Sequence, residues 1–278
     1  MYAGISTCKM SRGCLHPLCI QKMNAQEDYD ASERAALVAA YLISSARVII
    51  ELDSEFTKYS AQFLVDYAGP KNESEQGEAD QQSGLMTLDE CIEYLEYIVR
   101  LEEEPGQGEA NQQRPELTVK DCLECAFKKG MPKAEHWGHV GCVFKVPKFA
   151  AAIPRVPMKG QVIEAKTFED AFKLLVKQPV GAKLHVFSPE IELVGEDGVY
   201  EGPSVAGTRY LGLRDVIWIA VEEKVATVRI CYKKETLDVK VSLDRMLLAL
   251  PGDGDGEETQ LTEPTGLLVD FIVPRLSK

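Results

Sequence analysis

The sequence predicts an α+β chain with its helices first and its strands later. A long apolar segment of helical pattern runs from Ser32 to Leu52, and short β-branched runs separated by Gly, Pro and Asp clusters fill the chain after Cys142. The composition, 45% hydrophobic and 27% charged over 278 residues, is that of a globular protein able to bury a sizeable core.

Residues 1–30 carry Cys8, Cys14, His16 and Cys19 without usable periodicity and read as a leader; no secretory signal is expected in them. The eight cysteines of the chain are therefore expected as reduced thiols in an intracellular compartment, cytoplasm or nucleus. Next, Ser32 to Leu52 is apolar on nearly all sides, which marks a helix enclosed by other elements. Ser44, Ser45 and Arg47 interrupt the run, and a bilayer span wants about 20 apolar residues without a central Arg, so no membrane partner is expected. With 31 Lys and Arg against 44 Asp and Glu, the net charge of −13 repels phosphate backbones, so no nucleic-acid partner is expected either.

After Tyr59 to Tyr67 the Gly69-Pro70 pair stops regular structure and a polar loop follows, in which Asn72-Glu73-Ser74 is a sequon without consequence in an unexported chain. A repeat then appears. Gln76 to Gln82 followed by Thr87 to Glu93 recurs, 31 residues on, as Gln107 to Gln113 followed by Thr118 to Glu124. Each copy is a polar loop feeding a helix that its threonine caps, with acidic residues close behind. A single repetition cannot build a solenoid, so residues 71–118 are read as a tandem-duplicated insertion in the helical part.

The later runs, Val180 to Phe187, Val216 to Val221, Val225 to Tyr232, Leu237 to Val241 and Leu267 to Val273, read as antiparallel strands, with one helix at Phe168 to Val176. Cys122 and Cys125, with His136, His139 and Cys142 after them, are the residues from which a zinc site would be built. The two thiols stand three apart on a helix, and the first repeat copy has Cys91 but Tyr94 at the matching places, so core-facing thiols are expected and no metal or other cofactor. His185 alternates with Lys183 and Phe187 on a strand and is expected as a hydrogen-bonded structural histidine.

Five segments in order carry a family resemblance. Tyr59 to Tyr67 resembles the L-S-E-Q-E-L-V-D-C segment that follows the catalytic helix of papain-like cysteine peptidases. Lys129 to Gly141 looks like their N-G-G-I-x-x-E-x-x-Y-P-Y-x-G run, and Phe168 to Val180 like their A-L-x-x-A-V-A-x-Q-P-V step. Gly198 to Pro203 is similar to G-I-Y-x-G-P, and Gly266 to Pro274 to the last strand; Gln178-Pro179-Val180 and Gly198 to Pro203 resemble plant members most.

The resemblance implies a papain-like two-lobed fold over residues 31–278. A helical lobe of about 31–141 would pack on an antiparallel, barrel-like β lobe of about 142–278, with a cleft between them. It also implies departures. Counted back without a gap, the family's nucleophilic Cys falls on Ala36, and its His falls near Arg214 or Asp215. No N-S-W-G follows, Tyr67 stands at a disulfide position, and Gln26 is the candidate for the oxyanion-hole Gln. Lys183 falls where a small apolar residue would line the substrate pocket. Thiol-peptidase chemistry needs a thiolate and a base beside it, and Ser44 and Ser45 lie too far along the buried helix to replace them. The expectation is an inactive homologue binding a protein or peptide in the cleft or on its acidic loops. The alternative is a peptidase with a relocated nucleophile, Cys91 or Cys142 working with His136 or His139.

Overall fold

A computed structural model describes residues 28–69, 116–137, 153–195, 198–205, 207–251 and 259–278. Helix α1 (Ala31–Ile49) begins at a reciprocal cap. The Asp30 carboxylate accepts from the Glu33 amide at 2.8 Å, and the Glu33 carboxylate accepts from the Asp30 amide at 3.0 Å. The helix stops short of Leu52 because Arg47 reaches past its end. Its guanidinium grips both oxygens of Asp53 at 2.8 and 2.9 Å, and the Tyr59 hydroxyl donates to the same carboxylate at 2.8 Å.

Helix α2 (Ala61–Tyr67) starts at Ser60, whose hydroxyl accepts from the Phe63 amide. Helix α3 (Val119–Lys129) starts where the second repeat copy predicts, with Thr118 and Asp121 forming a capping box. These helices close one core around Ala35, Leu42, Phe63, Leu123 and Met131. Each large apolar side chain buried there contributes about 1.5–3 kcal/mol relative to exposure.

The second half holds β1 (Gly160–Ala165), α4 (Phe168–Leu175), β2 (Val180–Ser188) and a single turn α5 (Glu190–Leu193). There follow β3 (Val199–Tyr200), β4 (Arg209–Glu222), β5 (Val225–Tyr232), β6 (Glu235–Ser242), β7 (Met246–Leu250), β8 (Thr259–Gly266) and β9 (Leu268–Leu276). Seven strands form one sheet in the order β1-β9-β2-β4-β5-β6-β3, antiparallel throughout except for the β3–β6 pair, while β7 and β8 pair separately. The barrel-like lobe is thus an open sheet whose edges, among the described strands, are β1 and β3.

Gly181 lets α1 settle on this sheet. A Cβ there would stand 2.9 Å from methyl groups of both Leu42 and Ile272, so the strand offers bare backbone where the helix crosses. Arg229 adds a second tie, pairing with Asp238 at 2.7 Å while its guanidinium lies 5.5 Å from the centre of the Tyr41 ring. Strand β4 runs from Arg209, well before the predicted Val216, because its first half pairs with β2 through a bulge at Val186/Phe187. Past that bulge Phe187 is buried in the sheet core with Tyr200 and Trp218, its ring against Tyr210, on which His185 also packs. Most of the leader, most of the 71–118 insertion and residues 142–152 at the start of the expected β lobe lie outside the described residues.

Candidate functional site

The first turn of α1 faces the strand pair β2 and β4, and charged side chains converge there. Lys183 on β2 stands opposite Asp215 on β4, with 3.8 Å between the ammonium and a carboxylate oxygen. Arg214 pairs with Asp28, and its guanidinium lies 4.9 Å from the centre of the Tyr232 ring. Arg34 donates to the carbonyl of Tyr29, and its charge reaches Asp215 and Cys231. Ser32 accepts from the Leu117 amide at 3.0 Å, which ties the helix mouth to the entrance of α3.

Asp215 is 8% exposed, and burial pushes its carboxyl above the usual aspartate range. Lys183 and Arg34 pull it back, while Asp270 and Glu116 add to the rise. Asp28 and Arg34 therefore complete this cluster. Sequence reasoning missed both, and the available signal was their position flanking the Asp30 cap at the start of the apolar helix.

Ala36 lies in the second turn of α1, fully buried in the helical core, so it presents nothing to the cleft. Ser44 and Ser45 are buried further along, with the Ser44 hydroxyl donating to the Ala40 carbonyl at 2.8 Å. Cys122 and Cys125 face the core of the helical lobe, and burial drives the Cys122 thiol well above its ordinary value. Cys231 on β5 is raised in the same way. Thiols so placed stay protonated at neutral pH and are poor nucleophiles.

His136 is exposed beside Glu135, at 3.7 Å. His185 is 6% exposed, its Nδ1 2.9 Å from the Tyr210 hydroxyl, and burial lowers its pKa. No group of three metal-ligating side chains gathers among the described residues. Gln26, Cys91, His139 and Cys142 lie outside the described residues, and with them both candidates for the relocated nucleophile and two of the five residues from which a zinc site would be built.

Among solved structures, the chain is similar to a cysteine protease of Carica candamarcensis, covering 94% of this chain and 97% of that one at a TM-score of 0.52 and 11% identity. Bromelain of Ananas comosus matches at a TM-score of 0.51 and 11% identity, over 89% of this chain and 91% of that one. At such identity the likeness establishes the papain-like fold alone. In sequence, the chain is 58% identical over 275 residues to Protein HEAT-INDUCED TAS1 TARGET 4 of Arabidopsis thaliana, covering 96% of both chains. It is 55% identical over 269 residues to Protein HEAT-INDUCED TAS1 TARGET 1 of the same plant, covering 95% of both. The profile of the HEAT-INDUCED TAS1 TARGET N-terminal domain matches residues 4–159. A papain-like fold is thus carried here by a sequence that belongs to the HEAT-INDUCED TAS1 TARGET family.

Proposed function

We propose that this chain is a catalytically inactive relative of papain-like peptidases that works inside the cell by binding a protein or peptide segment. The observation that carries the reading is the charged cluster at the mouth of α1. Asp28, Arg214, Lys183 and Asp215 stand where α1 meets β2 and β4, and thiol chemistry would need a thiolate and an imidazole in mutual reach. Loss of such a pair costs on the order of a million-fold in rate. The relatives are named for heat induction, and we carry that to this chain as the proposal that its level rises on heating.

The test is two-sided. Purified full-length protein is assayed with fluorogenic peptides of varied sequence, and no turnover above buffer is expected. Peptides are then selected on the same protein from a displayed library. Enriched peptides that lose binding to the charge-reversed variant Lys183→Glu support a cleft that binds. Turnover that a single Cys→Ala change abolishes overturns the reading, and so does a library that yields no binder sensitive to Lys183.

A further inference from the structure

A concavity lies behind the single turn α5. It encloses about 220 Å³ and is lined by Glu190, Leu193, Val194, Val199, Tyr200 and Ser204, among others. Pockets for drug-sized ligands measure about 300–1,000 Å³, so this one suits a single side chain or a small amine. Its distinguishing member is Glu190, a carboxylate only 5% exposed.

The two oxygens of Glu190 are treated unequally. Oε1 accepts from the amides of Ser204 at 3.0 Å and Val205 at 3.2 Å and from the Thr208 hydroxyl. Oε2 is sealed from solvent and has no hydrogen-bond partner among the described residues. A buried acceptor left unmade costs about 1–3 kcal/mol, more when charged. Burial works against ionisation, but the donors at Ser204 and Thr208, its own amide and Val205 outweigh it and hold the pKa below the ordinary glutamate value. At neutral pH the pocket wall therefore carries a fixed anion with one oxygen still lacking a donor.

The rim mixes aliphatic surface with one more carboxylate: Leu193 is 69% exposed and Val199 38%, and the exposed Glu201 adds a second negative charge at the mouth. We propose that this pocket binds a primary ammonium on an unbranched aliphatic stem, the chemistry of a lysine side chain, with the ammonium held by the Glu190 charge, its sealed Oε2 turning outward to accept from it, and the stem lying against Leu193 and Val199. A guanidinium fits less well, because its planar fork seeks two acceptor oxygens and Oε1 already receives three donors. The net charge of −13 attracts such a cation from a distance. The site shares no residue with the charged cluster at α1, so finding peptidase activity would leave it standing.

The experiment is amide-resolved NMR of the full-length protein, titrated with Nα-acetyl-lysine methylamide, butylamine, the acetyl-arginine analogue and the uncharged acetyl-norleucine analogue. Saturable shifts at Gly198, Gly202, Ser204 and Val205 are expected with lysine or butylamine. Lysine binding without butylamine binding assigns the site to a lysine within a chain, and the reverse assigns it to a free amine. The arginine analogue is expected to bind at least threefold more weakly, and norleucine not at all. Glu190→Gln, which keeps an acceptor for the loop, should abolish the shifts, and Leu193→Ser on the exposed rim should weaken them severalfold. The absence of saturable shifts up to tens of millimolar overturns the proposal. So does equal binding by norleucine or arginine, or by Glu190→Gln.

Discussion

Asp215 and Glu190 are both buried carboxylates, 8% and 5% exposed, yet their surroundings move their charges in opposite directions. Burial disfavours ionisation at each. At Glu190 two amides and a hydroxyl touch one oxygen and win, so the pKa falls. At Asp215 the nearest cation stands at 3.8 Å, beyond hydrogen-bond range, and burial wins, so the pKa rises. The contrast teaches that donors in contact offset desolvation, whereas charges a few ångströms off do so only in part. It also divides the molecule: the α5 loop is built around an anion, while the mouth of α1 holds one that its surroundings oppose.

The largest effect is expected from Glu190→Ala, which leaves the Ser204 and Val205 amides and the Thr208 hydroxyl without their acceptor. Denaturant unfolding at pH 7 should show a loss of about 2–3 kcal/mol. A loss under about 0.5 kcal/mol would mean that the loop does not depend on this carboxylate. Next, Tyr200→Phe removes a hydroxyl that accepts from the Phe187 amide at 2.8 Å and donates to the His185 carbonyl at 3.0 Å, between the two regions. Thermal and denaturant melts should show a loss of about 1–3 kcal/mol.

Asp215→Asn should act with the opposite sign to Glu190→Ala, stabilising the protein modestly at pH 7. The sign follows from the direction of the shift. A carboxyl whose folded pKa lies above its unfolded value of about 3.9 is not penalised below that pH, and is fully penalised once the pH exceeds the folded value. The gain should therefore shrink as melts are repeated toward pH 4. Glu190 behaves in reverse, because its folded pKa is depressed. Its contribution is present above about pH 4.3 and is lost as the pH falls through the folded value, so the Glu190→Gln deficit should narrow on acidification. A deficit that instead widens toward acid would contradict the assigned direction. The smallest effect is Lys183→Met, a loss below about 1 kcal/mol that should nearly vanish in an Asp215→Asn background if the pair is the reason for it.

Much of the fold was legible because periodicity follows burial. The apolar run at Ser32 to Leu52, the Thr118 cap and the strand at Val225 to Tyr232 all appear within a few residues of expectation. Strands β1, β3, β7 and β8 were not legible. The Thr259–Gly266 strand is mostly exposed and contains Pro264, so neither hydrophobic alternation nor strand propensity marks it. The site was legible in part. Lys183, Arg214 and Asp215 could be placed by resemblance, and the structure pairs Lys183 with Asp215, while Arg214, the next residue on β4, pairs with Asp28. Asp28 and Arg34 could not, because pairing across 186 residues leaves no local pattern. Ala36, on which the ungapped count places the family's nucleophile, is buried in the helical core, and residues 50–60 between its helix and the Tyr59 segment hold the Arg47–Asp53–Tyr59 knot. The Glu190 pocket was invisible for the same reason as Asp28, since its donors come from a loop 14 to 18 residues away.

The most direct test of the central claim is labelling of the native protein with an epoxide-type cysteine-peptidase probe, read by intact mass beside a denatured control that shows the thiols to be competent. The charged cluster and the buried described thiols predict no native adduct. A stoichiometric native adduct at one cysteine would contradict the account and make this chain a peptidase with its nucleophile elsewhere.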